Sequence, residues 1–253
     1  MKNYLIKGVH KIESPVWWPG SDRTNEGDLH GYYDKMNDLS VSSFFHNLQG
    51  DWEYIKLESV ADSVYQVFRQ QFIGIWNIWK REPCNIYYCG SDTQALKPVE
   101  VFGRYKHFML FNYTDPKSET GYPHYLNADI RYYPAEMDRE KFEEAVNFIT
   151  DPELGWQQDQ FLYNRMVWSQ GLTPEEVIDP TMAYQGPWLP GDQSAKNFTD
   201  NWNGCRLEDA YVTHWHGSRN AQAKLNLMQY INEKLGIPLK KIPSRVIDVS
   251  DIP

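Results

Sequence analysis

The stretch NIYYCGSDTQALKPVEVFG, residues 85–103, decides how the chain is read. Ile86, Tyr87, Tyr88 and Cys89 form a short apolar run without helical period, which Gly90, Asp92 and the Lys97-Pro98 pair then interrupt. A strand therefore ends here, with a carboxylate at its end. Asp92 is either turn chemistry or a group that holds a ligand, and the rest of the chain has to decide between them.

Working outward, apolar runs at 4–9 and 52–57 read as two earlier strands, with a short helix between them at 38–48. Ser59 is placed to cap a helix in which Val64, Val67, Phe68, Ile75 and Trp79 recur at helical spacing, ending near Pro83. Further strands are expected at 108–112 and 125–133. Asp138 caps a helix carrying Phe142, Ala145 and Ile149, and helices follow at 159–169 and 221–235, the last closed by Gly236. This alternation predicts an α/β fold with a mostly parallel sheet covered by helices on both faces. Ligands of such sheets bind at the carboxyl ends of strands, which is where Asp92 lies. Residues 171–204 hold most of the late Pro, Gly, Asn and Asp and read as a long irregular excursion.

The 253 residues suit one domain with a full core. There are 25 basic and 34 acidic side chains, a net charge of −9, so attraction to phosphate polymers is not built into the whole surface. Ten Trp and 17 Tyr leave rings to spare for stacking on sugars or bases as well as for the core. Three cysteines (Cys84, Cys89, Cys205) without paired short spacing argue against a disulfide framework and fit a reducing compartment. No run of 18 apolar residues occurs, and the N-terminal apolar run is too interrupted for a signal peptide. The expectation is a soluble, cytoplasmic protein without a membrane span.

Four separate segments place polar groups at the edge of an apolar element: CGSD (89–92), LNAD (126–129), DQFLYN (159–164) and THWHGSR (213–219). An acid after a strand is usually a turn or cap residue, so each is weak alone. His214 and His216 sit two apart on a putative strand and face one side, either as a metal pair or in a structural role.

Together, in this order, the four segments resemble the signatures of GT-A fold, nucleotide-sugar-dependent glycosyltransferases. They are nearest the glycogenin-like and lipopolysaccharide hexosyltransferase group (family 8-like), with a phage-encoded source as one expectation. YYCGSDTQALKPVEVFG is similar to that group's strand, Asp-x-Asp, Thr, then Lys-Pro and Phe. YLNADIRYYP resembles its aromatic, Asn and apolar strand ending in Pro, DQFLYN its Asp-Gln helix start with Asn five residues on, and THWHGSR its late His-x-x-Gly. The resemblance implies a single GT-A-like domain over residues 1–253, with a donor-binding part in about 1–115 and an acceptor side in about 116–253.

It also implies a chemistry. A nucleotide-sugar donor leaves as a diphosphate, whose developing charge a divalent ion or a basic side chain must neutralise. By resemblance Asp92 and His214 are ligands of Mn²⁺ or Mg²⁺, and Ser91, Asp92, Gly217 and Arg219 lie along the donor diphosphate. Asn127 and Asp129 face the transferred sugar, while Asp129, Asp159 and Gln160 form the catalytic group beside the reacting centre. Trp17, Trp18 and Arg23, with Ser21 and Asp22, are candidates for the nucleotide.

The chain departs from the pattern at two places. Gly90 stands where the first motif acid is expected, and Asp129 stands where a Gly is common. Restoring the acid with Gly90→Asp is therefore expected to leave transfer intact or to tighten metal binding. The implied function is transfer of a sugar from a UDP-linked donor to a hydroxyl on a glycan, a protein or a hydroxymethylated DNA base, with retention favoured. A DNA acceptor would need a basic face from Lys97, Arg104, Lys106 and Lys117. The alternatives are a catalytically silent nucleotide-sugar-binding module and, more remotely, a metal-dependent hydrolase using His214, His216 and Asp92.

Overall fold

The computed structural model of the protein describes residues 1–12, 29–98, 107–111, 125–126, 128–149, 158–171, 177–178, 183–185, 209–215 and 221–252. Its centre is a five-stranded sheet built on the apolar runs read above. β1 (Asn3–Ile12) pairs in parallel with β2 (Glu53–Ala61) on one side and with β3 (Asn85–Cys89) on the other. β7 (Ile130–Tyr133) adds antiparallel to β3, and β11 (Ser244–Asp248) adds parallel to β2, giving the order β11-β2-β1-β3-β7. All five residues of β3 are buried, as an unbroken apolar run requires when both faces of a sheet are covered.

Helices supply that cover. On one face α2 (Val64–Trp79), α3 (Arg139–Ile149) and α4 (Gln158–Ser169) pack over Ile6, Ile55, Leu57 and Ile86. Phe142 sits at the centre of this layer, its ring 4.9 Å from Trp76 and 5.3 Å from Tyr133. On the other face α1 (Leu29–Asn47) sets Phe44 against Leu5 and Tyr87, and α5 (Ala221–Lys234) packs against α1 through Met36, Leu39 and Ile231. Cys84 and Cys89 are buried free thiols, consistent with their reading as small apolar groups.

Three differences from the expected elements have physical causes. Ser59 is a strand residue, because β1 extends far enough to pair His10 with it; the helix cap is Ser63, whose extended backbone lets its hydroxyl accept from the Gln66 N–H. The released Ser59 hydroxyl instead donates to Gln70 Oε1 at 2.6 Å inside the core. The run at 125–133 is two strands in two sheets. Its first part, β6 (Tyr125–Leu126), pairs with β5 (His107–Phe111), which also holds β8 (Val177–Ile178); its second part is β7 of the central sheet. The chain changes sheets just before Ile130, and Asp129 stands at that change.

The third difference is a small sheet at the end of β3. β4 (Thr93–Ala95) lies antiparallel to β10 (Val212–His214), which pairs in parallel with β9 (Ala183–Gln185). The register puts His214 opposite Thr93 and so carries the late His segment to the CGSD turn. The Arg104, Lys106 and Lys117 part of the suggested basic face lies outside the described residues.

Candidate functional site

The site is assembled where β3 ends. Three donors converge on the Gly90 carbonyl: Thr93 Oγ1 at 2.7 Å, Lys7 Nζ at 3.0 Å and the Thr93 N–H at 3.3 Å. Lys7 also donates to the Ser40 hydroxyl of α1. The Gly90 N–H donates to the Asp129 carbonyl at 2.6 Å, and the Trp215 N–H donates to the Asp92 carbonyl at 2.9 Å. Backbone bonds therefore tie the CGSD turn to both the LNAD and the THWHGSR segments. These bonds fix the backbone of the turn against both segments.

The side chains follow. His214 Nε2 lies 3.1 Å from Asp129 Oδ2 and 3.6 Å from Asp92 Oδ1. Lys224 of α5, which sequence reading did not single out, places its Nζ 2.6 Å from Asp92 Oδ2. Among the described residues, a chain of contacts positions that lysine. Gln94 of β4 accepts from the Trp215 indole at 2.8 Å and donates to Met228 O at 3.0 Å and Asn232 Oδ1 at 2.7 Å, locking α5 to the small sheet. Lys224 follows the THWHGSR segment by five residues but belongs to none of the four segments, and nothing in a lone helical lysine marks it before the fold is known.

A second ion pair stands behind the first. Arg131 of β7 is fully buried and donates to Asp159 Oδ2 at 2.9 Å, with its guanidinium 4.6 Å above the Tyr88 ring. It also donates to the Ala128 carbonyl. Gln160 Oε1 accepts from the Ala128 N–H at 3.3 Å, so Gln160 braces the bend that carries Asp129. Asn164 grips both backbone groups of Leu126, accepting from its N–H at 2.7 Å and donating to its carbonyl at 3.0 Å. The DQFLYN pattern thus reads as one acid toward the site and two amides that hold the neighbouring strand.

Charge and burial act against each other throughout. Burial pulls the His214 pKa down, but the Asp129 and Asp92 carboxylates outweigh it and the net direction is up. Burial likewise opposes the charge on Lys224, and Asp92 more than restores it. Burial lowers Lys7 to about 8, its ammonium donating to the Ser40 hydroxyl and the Gly90 carbonyl. Burial raises Asp159 to about 6 despite the Arg131 guanidinium beside it.

Of the residues expected here, the fold brings Asp92, Asp129 and His214 into contact and puts the Asp159–Arg131 pair next to them through Ala128 and Gln160. Ser91 is half-buried in the same turn. Trp17, Trp18, Ser21, Asp22, Arg23, Asn127, His216, Gly217 and Arg219 lie outside the described residues.

The divalent ion that the resemblance implies fits this donor set poorly. Among the described residues no group of three His, Cys, Asp or Glu side chains is arranged to hold a metal ion. Asp92 has one oxygen taken up by Lys224, and the imidazole nitrogen that would bind the ion already meets Asp129. A metal site presents surplus negative charge, whereas here Lys224 stands against Asp92 and Arg131 against Asp159.

No helix among the described residues is long and apolar enough to cross a membrane. No family model matches the chain, and no curated protein matches its sequence. Solved structures do match. One is described as "Crystal structure of a glycosyltransferase involved in the glycosylation of the major capsid of PBCV-1"; it superposes with a TM-score of 0.50 at 14% identity, over 91% of this chain and 100% of that one. Another, "WbbM bifunctional glycosytransferase apo structure", gives a TM-score of 0.57 at 10% identity over 92% of this chain, which spans 49% of that longer protein. At these identities the likeness is one of fold: a mostly parallel five-stranded sheet flanked by helices, as in glycosyltransferase structures.

Proposed function

We propose that the protein is a glycosyltransferase of the GT-A type that moves a sugar from a nucleoside diphosphate donor, UDP-linked, to a hydroxyl acceptor. The observation that carries this reading is the convergence of Asp92, Asp129 and His214, from three distant segments, at the carboxyl end of β3. The fold shared with two glycosyltransferase structures supports it.

In the proposed reaction the bond between the anomeric carbon and the diphosphate oxygen breaks, and its electron pair stays on the diphosphate. The acceptor oxygen bonds to the anomeric carbon, and its proton passes to the departing phosphate oxygen, a course that retains configuration. A divalent ion, where one is bound, would supply charge stabilisation to the leaving diphosphate. The protein's own part is to hold cations near those oxygens, to orient the sugar through Asp129, and to fix Asp159 beside the reacting centre with Arg131. Asp159 acts as an orienting group, since Arg131 and the Gln160 N–H already engage its two oxygens.

The test is thermal unfolding with UDP, GDP, CMP and their sugars, followed by transfer assays on glycan, peptide and hydroxymethylated DNA acceptors. A ligand that binds only the native state raises the midpoint by mass action. A shift with one UDP-sugar, followed by its turnover, is the expected result. No shift with any nucleotide would leave the protein with a glycosyltransferase-like fold and a different ligand.

A further inference from the structure

Resting on that reading, we infer that Lys224 is the resident cation of the donor site, doing for the diphosphate the neutralising work otherwise done by a divalent metal ion.

Three observations carry this. The first is place: Lys224 comes from α5, 132 residues beyond Asp92, yet its ammonium rests 2.6 Å from that acid at the end of β3. The second is support. Lys224 is buried, 8% exposed, and its helix is pinned to the site by Gln94 through Met228 and Asn232, so the ammonium is delivered to this point by a built framework. A lysine that merely coated the surface would keep its charge in water. The third is the neighbourhood of Asp92. Its Oδ2 faces Lys224, and the buried Lys7 stands beneath the turn at the Gly90 carbonyl.

Asp92 is thus already engaged by an ammonium, and a divalent ion added there would stand close to that buried charge. A diphosphate has the opposite sign and would be welcomed. Its oxygens can share the Lys224 ammonium with Asp92 Oδ2, because an ammonium has three donors and Asp92 uses one of them. Asp92 then acts as the group that orients the lysine. Gly90 fits the same arrangement, since a site whose cation is a side chain has no use for a second motif acid on β3. The lysine's point charge suits a diphosphate, which needs neutralisation more than planar bidentate geometry.

The experiment is calorimetric titration of the full chain with UDP and with MnCl₂ separately, in EDTA-treated buffer for the former, on wild type, Lys224→Met and Lys224→Arg. Thermal unfolding of each variant confirms that it is folded. Wild type is expected to bind UDP in EDTA within about threefold of its affinity in Mn²⁺ and to take up no Mn²⁺ on its own. Lys224→Met should lose about tenfold or more of the UDP affinity in EDTA, and Lys224→Arg should retain most of it. Lys224→Met should also gain Mn²⁺ binding, because Asp92 is then left without its cation, and a loss through general damage would not do that. UDP binding by wild type only when Mn²⁺ is present would overturn the inference and leave the donor reading standing. No binding of UDP under either condition, with GDP and CMP equally silent, would overturn both.

Discussion

The carboxylate of Asp129 fills the space that a side chain on Gly90 would take. A Cβ built on Gly90 would lie 3.0 Å from Asp129 Oδ1 and 3.2 Å from Asp129 Cβ. The two departures from the expected pattern, Gly90 and Asp129, are thus spatially linked: the side chain of one occupies the room left by the other.

This reverses the outcome expected from sequence for Gly90→Asp. The new carboxylate would crowd the Asp129 side chain and repel it, and Asp129 would be pushed off His214. Overpacking of this kind costs about 1–3 kcal/mol, before any cost of like charges. Gly90→Asp should therefore lower both the unfolding midpoint and transfer, and Gly90→Asp combined with Asp129→Gly should recover much of both. Thermal unfolding and initial rates of the two variants decide it. A single variant as stable and active as wild type would show that the two sites are independent.

The Asn164 grip on Leu126 gives a second prediction. Replacing Asn164 with Leu strands the N–H and carbonyl of a buried strand residue, each a loss of about 1–3 kcal/mol. Asn164→Leu should destabilise the chain by about 3 kcal/mol in denaturant titration. A change below about 0.5 kcal/mol would mean that water or a shifted strand replaces the amide.

How much of this was legible beforehand varies with the kind of signal. β3 was readable because its apolar run ends abruptly at Gly90, and the Asp138 cap because its spacing to the helix is local: Asp138 Oδ1 accepts from the Glu140 and Lys141 N–H groups. Ser59 misled because a strand's length depends on its partner, and a nearby polar residue imitates a cap. The run at 125–133 reads as one strand because switching sheets leaves no periodic trace. Asp92, Asp129, His214 and Asp159 stood out as acids and a histidine beside apolar runs. Lys224 and Lys7 did not, since a lysine in a helix or strand is ordinarily a solvated one, and only the fold buries these two.

Asp159 predicts a pH dependence of stability. Burial holds its folded-state pKa at about 6, above the ordinary 3.8, so the native state keeps the proton longer than the unfolded chain does. Its contribution is fully present below pH 3.8 and is lost as pH rises through 6. Asp159→Asn removes the titration. Relative to that variant, wild type should lose about 3 kcal/mol between pH 3.5 and 7, measured by denaturant unfolding. Stability curves that run parallel across this window would place the Asp159 carboxyl in a wetter setting than its contacts with Arg131 and Gln160 describe.

Lys7 gives the converse window. Its folded-state pKa of about 8 lies below the ordinary 10.5, so between these values the native state binds fewer protons than the unfolded chain. The favourable contribution is complete above pH 10.5 and is lost as pH falls through 8, which leaves a buried charged lysine as a cost at neutral pH. Lys7→Met removes that cost but also removes one of three donors to the Gly90 carbonyl, leaving Thr93 to hold the turn. The difference in stability between wild type and Lys7→Met should therefore shift toward wild type as pH rises from 7 to 10. Taking the difference cancels the tyrosine titrations that both proteins share. On the proposed donor reading, the variant at pH 7 should be folded yet bind UDP more weakly, because a positive charge beneath the turn has gone. If the difference is flat with pH, the Lys7 ammonium titrates alike in the native and unfolded protein, which would overturn its burial beneath the turn.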